Sequence, residues 1–577
     1  MSDLPSTSKR PVRAVRLPKP TIRPLTILDI IENDLSDASS NGDFDYSFFL
    51  NSSSESDSEN EQNEVSADDN DNDNADDNTH TYSQWGTVTG LNQKHFEFND
   101  IRDIRFNFKI KSSCLQYFQI FMTDELVEIM MLETNRNANQ FVKQKRITRD
   151  TQMTKWVDTT HEEMIRFIGL LFYMGVVKLS STANYWSRNV LYQNEICRKS
   201  MSRERFELLL RFWHFANNQI EPEGDQLCRI QYLITYLVTK FKTAKIPGEI
   251  IAVGETMIPF RDRLKFRQFM PQKSHKDGVK LFKVCSPDGY TYDINIFAGK
   301  MDKECEGLET VVLNLCEDYL DQGRTIVTDT FYTSIALADS LLERRTHLVG
   351  MVKKTEKGLP LEVVNAQIKK REIIGKENIN GIVFAKWKER QYIHTLSTCH
   401  NLDIVETGKK NQKDGKMIKP KVVVDYNEGQ VGIDLSDELS SRGMPVLHGR
   451  AIRWYHKVAC EILLGTSVVN AYLLWKIHNP DNFITIVEFR EALTTELLIL
   501  NDNPAIVASK HKLEVTKLVR KKNRKLRRRC VHCYEKARSG GCSAEEAKKV
   551  ATQVSTYCSG CKGNPFVCME CFQTDHI

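Results

Sequence analysis

Three aspartates in the middle of the chain have surroundings that suit metal-dependent chemistry. Asp329 ends the short apolar run RTIVTD, where a lone carboxylate costs free energy unless it is paired or bound to a metal. Asp434 and Asp437 are three residues apart, so on a helix they share one face. Carboxylates that converge from separate elements can hold two divalent ions for phosphoryl transfer. By spacing alone, however, capping positions at strand and helix ends explain these aspartates more simply.

Seven of the fifteen cysteines lie near the end of the chain, as three C-x-x-C pairs and one single residue. Each pair presents two thiolates from one tight turn, which suits a tetrahedral Zn²⁺ ion. We therefore predict one or two Zn²⁺ ions, with the candidate ligands Cys530, Cys533, Cys542, Cys558, Cys561, Cys568, Cys571 and His576. Spacing does not determine which pairs share an ion, and His532 or water could complete a second site. A disulfide framework is disfavoured because no secretory signal precedes these cysteines.

Charge is strongly segregated along the chain, although the net charge is only +4. No Lys or Arg occurs between Arg23 and Lys94, whereas the segment KLVRKKNRKLRRR before the cysteines is densely basic. Such a run predicts phosphate contacts and a nuclear localisation signal. The candidate DNA-binding residues are Arg520, Lys521, Lys522, Arg524, Lys525, Arg527, Arg528 and Arg529. A further hypothesis is that the acids from Glu55 to Asp77 compete with DNA for this basic arm.

The length and composition of the chain indicate a multidomain protein and argue against a secreted or membrane-spanning one. A chain of 577 residues predicts two to four domains. Its first residues lack the apolar core of a secretory signal, and no run approaches the roughly 18 apolar residues that cross a bilayer. The longest apolar run, near Phe167 to Val177, is interpreted as a buried helix. We therefore predict a nuclear protein without a membrane partner or a small-molecule substrate.

Hydrophobic periodicity divides the chain into helical and strand-rich parts. Residues 1–95, rich in Ser, Asn, Asp and Glu, are predicted to be disordered. Helical spacing follows, with a capping-box signature at Thr160 and Glu163 and a second helix that starts at Ser202.

From Glu249 the pattern changes to strands. EIIAV, RTIVTD and HLVGMV are predicted strands, and KLFKVC and YTYDINIF form a hairpin around an Asp-Gly turn. Residues 354–420 are polar and weakly patterned, and we interpret them as an insertion with some strand rather than core. Helices resume at IDLSDELSSR. The mixture predicts a multidomain α/β or α+β layer fold.

The order of several long motifs resembles the piggyBac transposase family. These motifs are TKWVDTTHEEMIRFIGLLFYMGVVKLSSTANYWS, GETMIPFRDR, FRQFMPQKSHKDGVKL, VTDTFYTSIALADSLL, VVVDYNEGQVGIDLSDEL and RAIRWYHK. The resemblance runs from about residue 115 to the C-terminus. It implies an RNase H-like catalytic domain, interrupted by an insertion and embedded in a helical dimerisation and DNA-binding domain. It also implies cut-and-paste chemistry on DNA with acidic residues that bind Mg²⁺, and a homodimer.

Carried over motif by motif, the resemblance implies roles for individual residues. Asp329 matches the family's second aspartate, and Asp434 and Asp437 match its closing pair. Trp454 matches the family's Trp, for which both a packing role and a DNA contact are open. The implied domains are a disordered acidic region (1–95), a helical domain (96–248 and 445–512), an RNase H-like domain (249–353 and 421–444), an insertion (354–420), a basic linker (513–529) and a cysteine-rich zinc domain (530–577).

The chain departs from the family at the first aspartate. The expected Val-Asp-Glu motif is Val253-Gly254-Glu255, and glycine has no oxygen to offer a metal. Side chains alternate along a strand, so Glu255 is expected to face away from the lost carboxylate. Asp262 lies eight residues further on and would need the backbone to fold back. Because positioning and electrostatics supply nearly all catalysis in phosphoryl transfer, we expect strand transfer to be absent or very weak. Mg²⁺ is expected only if the remaining acidic site still binds it.

Three functions stay open on the sequence. The first is a transposase-derived DNA-binding protein that has lost catalysis. The second is an active transposase with an atypical site, and the third is a chromatin or protein-interaction adaptor that uses the zinc module. A RING-type ubiquitin ligase is a further interpretation of the cysteines, disfavoured by the flanking motifs.

Overall fold

The computed structural model describes most of the chain after residue 83. The described residues are 84–98, 112–144, 152–192, 194–220, 227–260, 264–269, 277–297, 307–411, 415–445, 452–499, 513–516, 519–520, 524–558 and 564–576. Residues 1–83, together with Lys521, Lys522, Cys561 and Asp262, lie outside this set, and so do the predictions made for them.

One ten-stranded mixed sheet organises the middle of the chain. Its strands are β1 (Trp85–Gly86), β2 (Ile250–Pro259), β3 (Gln268–Phe269), β4 (Asp277–Cys285), β5 (Thr291–Ile296), β6 (Thr325–Thr328), β7 (His347–Met351), β8 (Ile373–Asn378), β9 (Val383–Lys388) and β10 (Tyr392–Ser397). They lie in the order β1-β8-β9-β10-β7-β6-β2-β4-β3, and β5 also pairs with β4. Strands β2, β6 and β7 are parallel, whereas β4 is antiparallel to both β2 and β5. The predicted strands and the hairpin between β4 and β5 are confirmed.

The segment 354–420 contains strands, as expected, but part of it is buried core, contrary to the prediction. Strands β8, β9 and β10 extend the main sheet beyond β7, and Phe384, Trp387 and Leu396 are buried there. The side-chain pattern did not indicate this strand, because β8 has few apolar residues. Backbone hydrogen bonds to β9 hold it in the sheet. A separate ribbon, β11 (Ile404–Asn411) with β12 (Gly415–Pro420), completes the segment.

The first described residues also differ from the prediction of disorder up to residue 95. Strand β1 pairs with β8 at the edge of the sheet. Beyond β1, the Glu377 carboxylate accepts hydrogen bonds from the backbone N–H groups of Thr89 (2.7 Å), Gly90 (2.9 Å) and Asn92 (3.3 Å). A buried acid therefore fixes a segment that has little apolar surface of its own.

Helices flank the sheet in sequence and pack together around it. In the described chain the α-helices are α1 (Cys114–Phe118), α2 (Asp124–Gln144), α3 (His161–Val176), α4 (Glu195–Ser200), α5 (Arg203–Phe212), α6 (Cys228–Ala244), α7 (Leu308–Cys316), α8 (Ile335–Glu343), α9 (Leu361–Asn365), α10 (Lys421–Ser441), α11 (Trp454–Cys460), α12 (Ser467–His478), α13 (Ile486–Ile499), α14 (Val531–Ser539), α15 (Ala544–Val550) and α16 (Met569–His576). Helix α13 packs along α3, and α12 packs on α1, so helices from before and after the sheet share one core.

Local capping signals place several helix starts correctly. The Thr160 hydroxyl accepts from the N–H of Glu163 at the start of α3, and Ser202 accepts from Arg205 at the start of α5. A π-helical turn, Glu461–Thr466, joins α11 to α12. Within the described residues, Trp454–His478 is the one helical segment long and apolar enough to cross a membrane, and 94% of its most apolar stretch is buried inside the protein. Burial in the core accounts for that apolar character.

Helix α10 starts earlier than expected. It begins at Lys421 rather than near Ile433, so the run VVVDYNEGQVG is helical. Valine is a poor helix former, but Val422 and Val423 are buried in the cluster that also holds Val327 and Val349 of the sheet. Tertiary burial therefore overrides the local preference of this run.

The end of the chain forms a small module built around the cysteines. Strand β13 (Leu513–Val515) pairs with β18 (Thr556–Cys558), β14 (Val519–Arg520) pairs with β15 (Arg524–Lys525), and β16 (Arg528–Arg529) pairs with β17 (Gln553–Val554). We expected a linker at 513–529, but β13 and β16 tie parts of this segment to the module.

Candidate acidic site and cysteine cluster

The carboxyl end of β6 brings Asp329 beside the position of the missing aspartate. Strands β2 and β6 are parallel, with Val253 opposite Thr328, so Gly254 and Asp329 follow at the same edge. The Asp329 carboxylate accepts a hydrogen bond from the N–H of Phe331 at 2.8 Å. A turn at the strand end therefore orients this carboxylate.

Helix α10 packs across the same strands and carries the other two aspartates. Two glycines permit its close approach: a Cβ on Gly432 would lie 2.1 Å from the carbonyl oxygen of Ser286, and one on Gly429 would lie 2.6 Å from Val327. Tyr426 is buried beneath this site. Burial and then the negative charges of Asp329 and Asp434 raise its pKa well above the usual value. Asp329 and Asp434 thus share one neighbourhood, although they are 105 positions apart in sequence.

Asp437 faces a different set of partners. Its Oδ1 atom accepts a hydrogen bond from the Thr256 hydroxyl at 2.6 Å, and the same atom lies 2.9 Å from the ammonium nitrogen of Lys283. The Lys283 side chain is fully buried, whereas the Asp437 side chain is 31% exposed. Burial tends to lower the pKa of Lys283, but the carboxylates of Asp437 and Glu461 more than offset this, so the pKa lies above its ordinary value. Lys283 is therefore a buried cation at the acidic site.

Strand register explains why Lys283 reaches this site. Gly254 of β2 is directly opposite Lys283 of β4. Residues opposite one another in an antiparallel pair point to the same face, and so does Thr256, two positions after Gly254. The missing carboxylate and the buried ammonium group consequently belong to one face of the sheet, the face that α10 covers.

The space beside Gly254 is filled by helix α10. A Cβ at position 254 would lie 3.0 Å from Cγ1, 3.1 Å from Cγ2 and 3.4 Å from Cδ1 of Ile433. Ile433 is 1% exposed and belongs to the core cluster. A side chain larger than hydrogen at 254 would therefore require Ile433 to shift by a few tenths of an ångström within the core.

Glu255 does not replace the lost aspartate. It is buried on the opposite face, where it forms an ion pair with Lys280 and accepts a hydrogen bond from the Tyr332 hydroxyl at 3.2 Å. Alternation along β2 gave this orientation correctly.

The acidic side chains do not form a compact metal cage. Within the described residues, the group of three or more Cys, His, Asp or Glu whose ligand atoms all lie within 4.8 Å consists of four cysteines, not of Asp329, Asp434 and Asp437. Asp437 is already bound to an ammonium group, and position 254 offers no oxygen. The residues present therefore do not fit the Mg²⁺ binding that the family resemblance implies.

The cysteine cluster, by contrast, could hold a metal ion, because its four sulfur atoms all lie within 4.8 Å of one another. Cys530, Cys533, Cys568 and Cys571 form the cluster, so the first C-x-x-C pair shares a site with the last. The Sγ atom of Cys533 lies 3.6 Å from that of Cys568 and 3.5 Å from that of Cys571. Four sulfurs about 2.3 Å from a tetrahedral Zn²⁺ would lie about 3.8 Å apart, close to the two separations given above.

Backbone groups support this cage. The N–H groups of Cys533 (3.5 Å) and Cys568 (3.3 Å) donate to the sulfur of Cys530, and that of Cys571 donates to Cys568. Such bonds stabilise thiolates without adding a protein charge. Two other candidate ligands stand apart in the described structure: Cys542 and Cys558 are outside the group of four, although Cys558 is buried in the same apolar cluster. His576 ends helix α16.

Basic residues before the cluster are partly used inside the module. Arg527 donates to the carbonyl oxygen of Gln553 at 2.7 Å, and Arg529 donates to that of Lys548 at 2.5 Å. The guanidinium of Arg528 lies over the Phe566 ring at 5.4 Å. All three side chains stay exposed, and Arg520, Arg524 and Lys525 lie on strands β14 and β15.

Trp454, the other candidate DNA contact, is half-buried at the start of α11. Its ring packs edge-to-face on the buried Phe266 at 5.1 Å. The ring therefore packs against the protein interior, and a DNA contact of Trp454 stays a prediction.

Sequence reasoning overlooked Lys283, Thr256 and Tyr426. One signal was available for Lys283: it interrupts the apolar face of KLFKVC between Leu281 and Cys285, where a lysine requires a buried partner. The identity of that partner depends on α10, and local pattern does not provide it.

Comparison with known proteins agrees with this architecture. A family model described as Transposase IS4 matches residues 113–472, more than half of the chain. PiggyBac transposable element-derived protein 3 of Homo sapiens is 23% identical over 419 residues, covering 69% of this chain and 67% of that protein. PiggyBac transposable element-derived protein 5 of Homo sapiens is 22% identical over 415 residues, covering 68% and 76%.

A solved structure shows the same fold. The cryo-EM structure of a piggyBac transposase synaptic complex with hairpin DNA matches with a TM-score of 0.57 and 22% identity, over 67% of this chain and 80% of that chain. The family model, the relatives and the shared mixed α/β fold agree with the ordered motifs of the sequence. The chain belongs to the piggyBac-type Transposase IS4 family.

Proposed function

We propose that this chain is a DNA-binding protein derived from a piggyBac transposase and no longer able to cut and paste DNA. One observation carries the proposal: Gly254 stands where the first carboxylate is needed, on the face where Lys283 holds Asp437. Phosphoryl transfer depends on metal ions that clamp the attacking and leaving oxygens, and this site offers too few unengaged carboxylates for that.

Strand order supports an RNase H-like assignment for the sheet. The series β5-β4-β2-β6-β7 has three antiparallel strands followed by two parallel ones, a mixed order that suits the RNase H-like domain of the family resemblance. Asp329 at the end of β6 and Asp434 on α10 occupy positions that suit catalytic carboxylates of such a domain. We accordingly treat Asp329, Asp434 and Asp437 as the remnant of an active site.

Two observations support DNA binding: exposed basic side chains on the cysteine module, and the structural similarity to a transposase that was solved with DNA. The exposed guanidinium groups of Arg527, Arg528 and Arg529 lie on the cysteine module, and five more basic residues lie between positions 520 and 525 of the sequence. The structural match is a transposase in complex with hairpin DNA. We propose that the module, held by Zn²⁺ on Cys530, Cys533, Cys568 and Cys571, presents these cations to DNA in the nucleus, in a homodimer.

Binding is tested by fluorescence anisotropy of the zinc-loaded full chain with a random-sequence duplex and with duplexes selected from a randomised library. Neutralising Lys521 and Lys522 to Ala should weaken binding and reduce the slope of log K against log salt by up to about two. Lys369→Ala with Lys370→Ala is the matched control, since it removes equal charge from an exposed loop after α9. Equal loss in both double variants, or no DNA binding at all, would favour the adaptor function instead.

Catalysis is tested separately by plasmid excision. A donor plasmid carrying the genomic flanks of this gene should yield no more excision product with the chain than with an Asp329→Asn variant. Excision above that control would establish the alternative function, an active transposase with an atypical site.

A further inference from the structure

Lys283 and Asp437 form an ion pair, so the positive charge of the lysine neutralises one carboxylate of the acidic site. The Lys283 ammonium nitrogen lies 2.9 Å from Oδ1 of Asp437, and the Lys283 side chain has no exposed surface. An unpaired ammonium group in the interior is strongly unfavourable, so Lys283 requires this carboxylate. The Thr256 hydroxyl donates to the same oxygen at 2.6 Å and completes its hydrogen bonding.

This ion pair faces the position of the lost carboxylate. Gly254 is the cross-strand neighbour of Lys283, and Thr256 follows on the same face of β2. The volume next to Gly254 is taken by Ile433 of α10. Three features therefore coincide on one face: a missing acid, a packed isoleucine in its place, and a buried cation opposite.

A cation on this face changes what the site can bind. A divalent ion needs carboxylate oxygens that are not already engaged, and a neighbouring ammonium group repels it through a medium of low dielectric. In the described structure, Asp437 gives one oxygen to two donors at once.

We infer that Lys283 is the resident cation of this acidic site, and that it takes at Asp437 the electrostatic role of a divalent metal ion and excludes such ions. This inference extends the proposed loss of catalysis, and rests on it. It predicts that restoring the aspartate alone does not restore the metal site, because the lysine must also be removed.

Mn²⁺ is the probe, measured by electron paramagnetic resonance as ions bound per zinc-loaded full chain, without DNA. Gly254→Asp with Lys283→Met should bind one more Mn²⁺ than the unaltered chain, at least about tenfold more tightly than Gly254→Asp alone. That added ion should disappear when Asp329→Asn is introduced as well, which separates it from weak binding by other acids of the chain.

Lys280→Met is the matched control. Lys280 is a second buried lysine of β4, but it is paired with Glu255 on the opposite face, so its removal should add no Mn²⁺ at the site. If Lys283→Met prevents folding, Lys283→Gln removes the charge and keeps a donor for Asp437.

Two results would overturn the inference. The first is a Mn²⁺ ion on the unaltered chain, or on Gly254→Asp alone, that is lost with Asp329→Asn. The second is a folded double variant that binds no more Mn²⁺ than the unaltered chain. Since DNA is absent from this measurement, its failure leaves the anisotropy test of DNA binding unaffected.

Discussion

Lys283 and Asp437 are joined by a 2.9 Å ion pair across 154 positions of sequence, with the lysine wholly buried and the aspartate partly in solvent. Removal of one partner from such a pair leaves an uncompensated charge in the interior. The pair therefore links the stability of the β2–β4–α10 core to the chemistry of the former active site.

Asp437→Asn tests the stability that depends on this pair. We expect the free energy of unfolding to fall by about 2–3 kcal/mol, less than for a fully buried pair because Asp437 is partly solvated. Urea unfolding followed by tryptophan fluorescence measures the change. Asp318→Asn is the control: Asp318 pairs with Lys242 at 2.7 Å but is 61% exposed, so its loss should cost less than about 1 kcal/mol. Similar costs for the two variants would contradict a structural role for the Lys283 pair.

Gly254→Asp should lower stability as well as fail to restore metal binding. The new Cβ would meet Ile433 at 3.0–3.4 Å, and overpacking of this kind costs about 1–3 kcal/mol. Gly254→Asp should cost less in an Ile433→Ala background than in the unaltered chain, because alanine lacks the Cγ1, Cγ2 and Cδ1 atoms that meet the new Cβ. Gly248→Asp, at a glycine with open space around its Cβ position and outside any helix cap, serves as the control. An equal cost of Gly254→Asp in the two backgrounds would refute steric conflict at this position.

His400 should make stability depend on pH above neutrality. Burial tends to lower its pKa, but the hydrogen bond to Asp425 at 2.8 Å more than offsets this and raises the pKa to about 9. A folded-state pKa above the unfolded value of about 6.5 contributes stability that is complete below pH 6.5 and lost as pH rises to about 9. The loss should be about 2–3 kcal/mol, measured as the fall in unfolding free energy between these pH values.

His400→Gln should abolish most of that fall. The comparison is His347→Gln, because burial lowers the pKa of His347 to about 4 and its contribution changes only in acid. A fall that persists unchanged in His400→Gln would show that another group titrates in this window.

The cysteine cluster makes a specific prediction about zinc content. Cys533→Ser removes one sulfur of the four-cysteine cage and should lower the zinc bound per chain by one ion, with unfolding of the module. Cys542→Ser should leave zinc content unchanged, since Cys542 is outside the cage. Zinc is measured by mass spectrometry of the purified chain after dialysis. Equal zinc loss from both variants would contradict the pairing of the first and last C-x-x-C motifs.

Several features were predictable because their causes are local. Short apolar runs and an Asp-Gly turn identified β2, β4, β5, β6 and β7, and capping side chains identified the starts of α3 and α5. The absence of an oxygen at Gly254 is a property of the residue itself. Spacing also indicated a metal site in the terminal cysteines, since two thiolates in one turn are close in any fold.

Other features depended on contacts between distant segments. The start of α10 was misplaced because its valines favour a strand locally and become helical through burial on β2 and β6. Residues 373–397 joined the main sheet because backbone pairing, not side-chain pattern, holds β8 against β9. The partners of the C-x-x-C motifs likewise required the fold of the module, since 35 positions separate Cys533 from Cys568.

The sequence by itself determined the family, the order of the elements and the loss of an aspartate at 254, because ordered motifs and residue types are carried by the chain directly. Only the tertiary structure decided which side chains surround Gly254. Lys283 meets Asp437, and Ile433 fills the space at Gly254, because the register of β4 against β2 and the close packing of α10 bring three separate segments together. The charge of Lys283 follows from its residue type, whereas its partner Asp437 depends on how the chain folds.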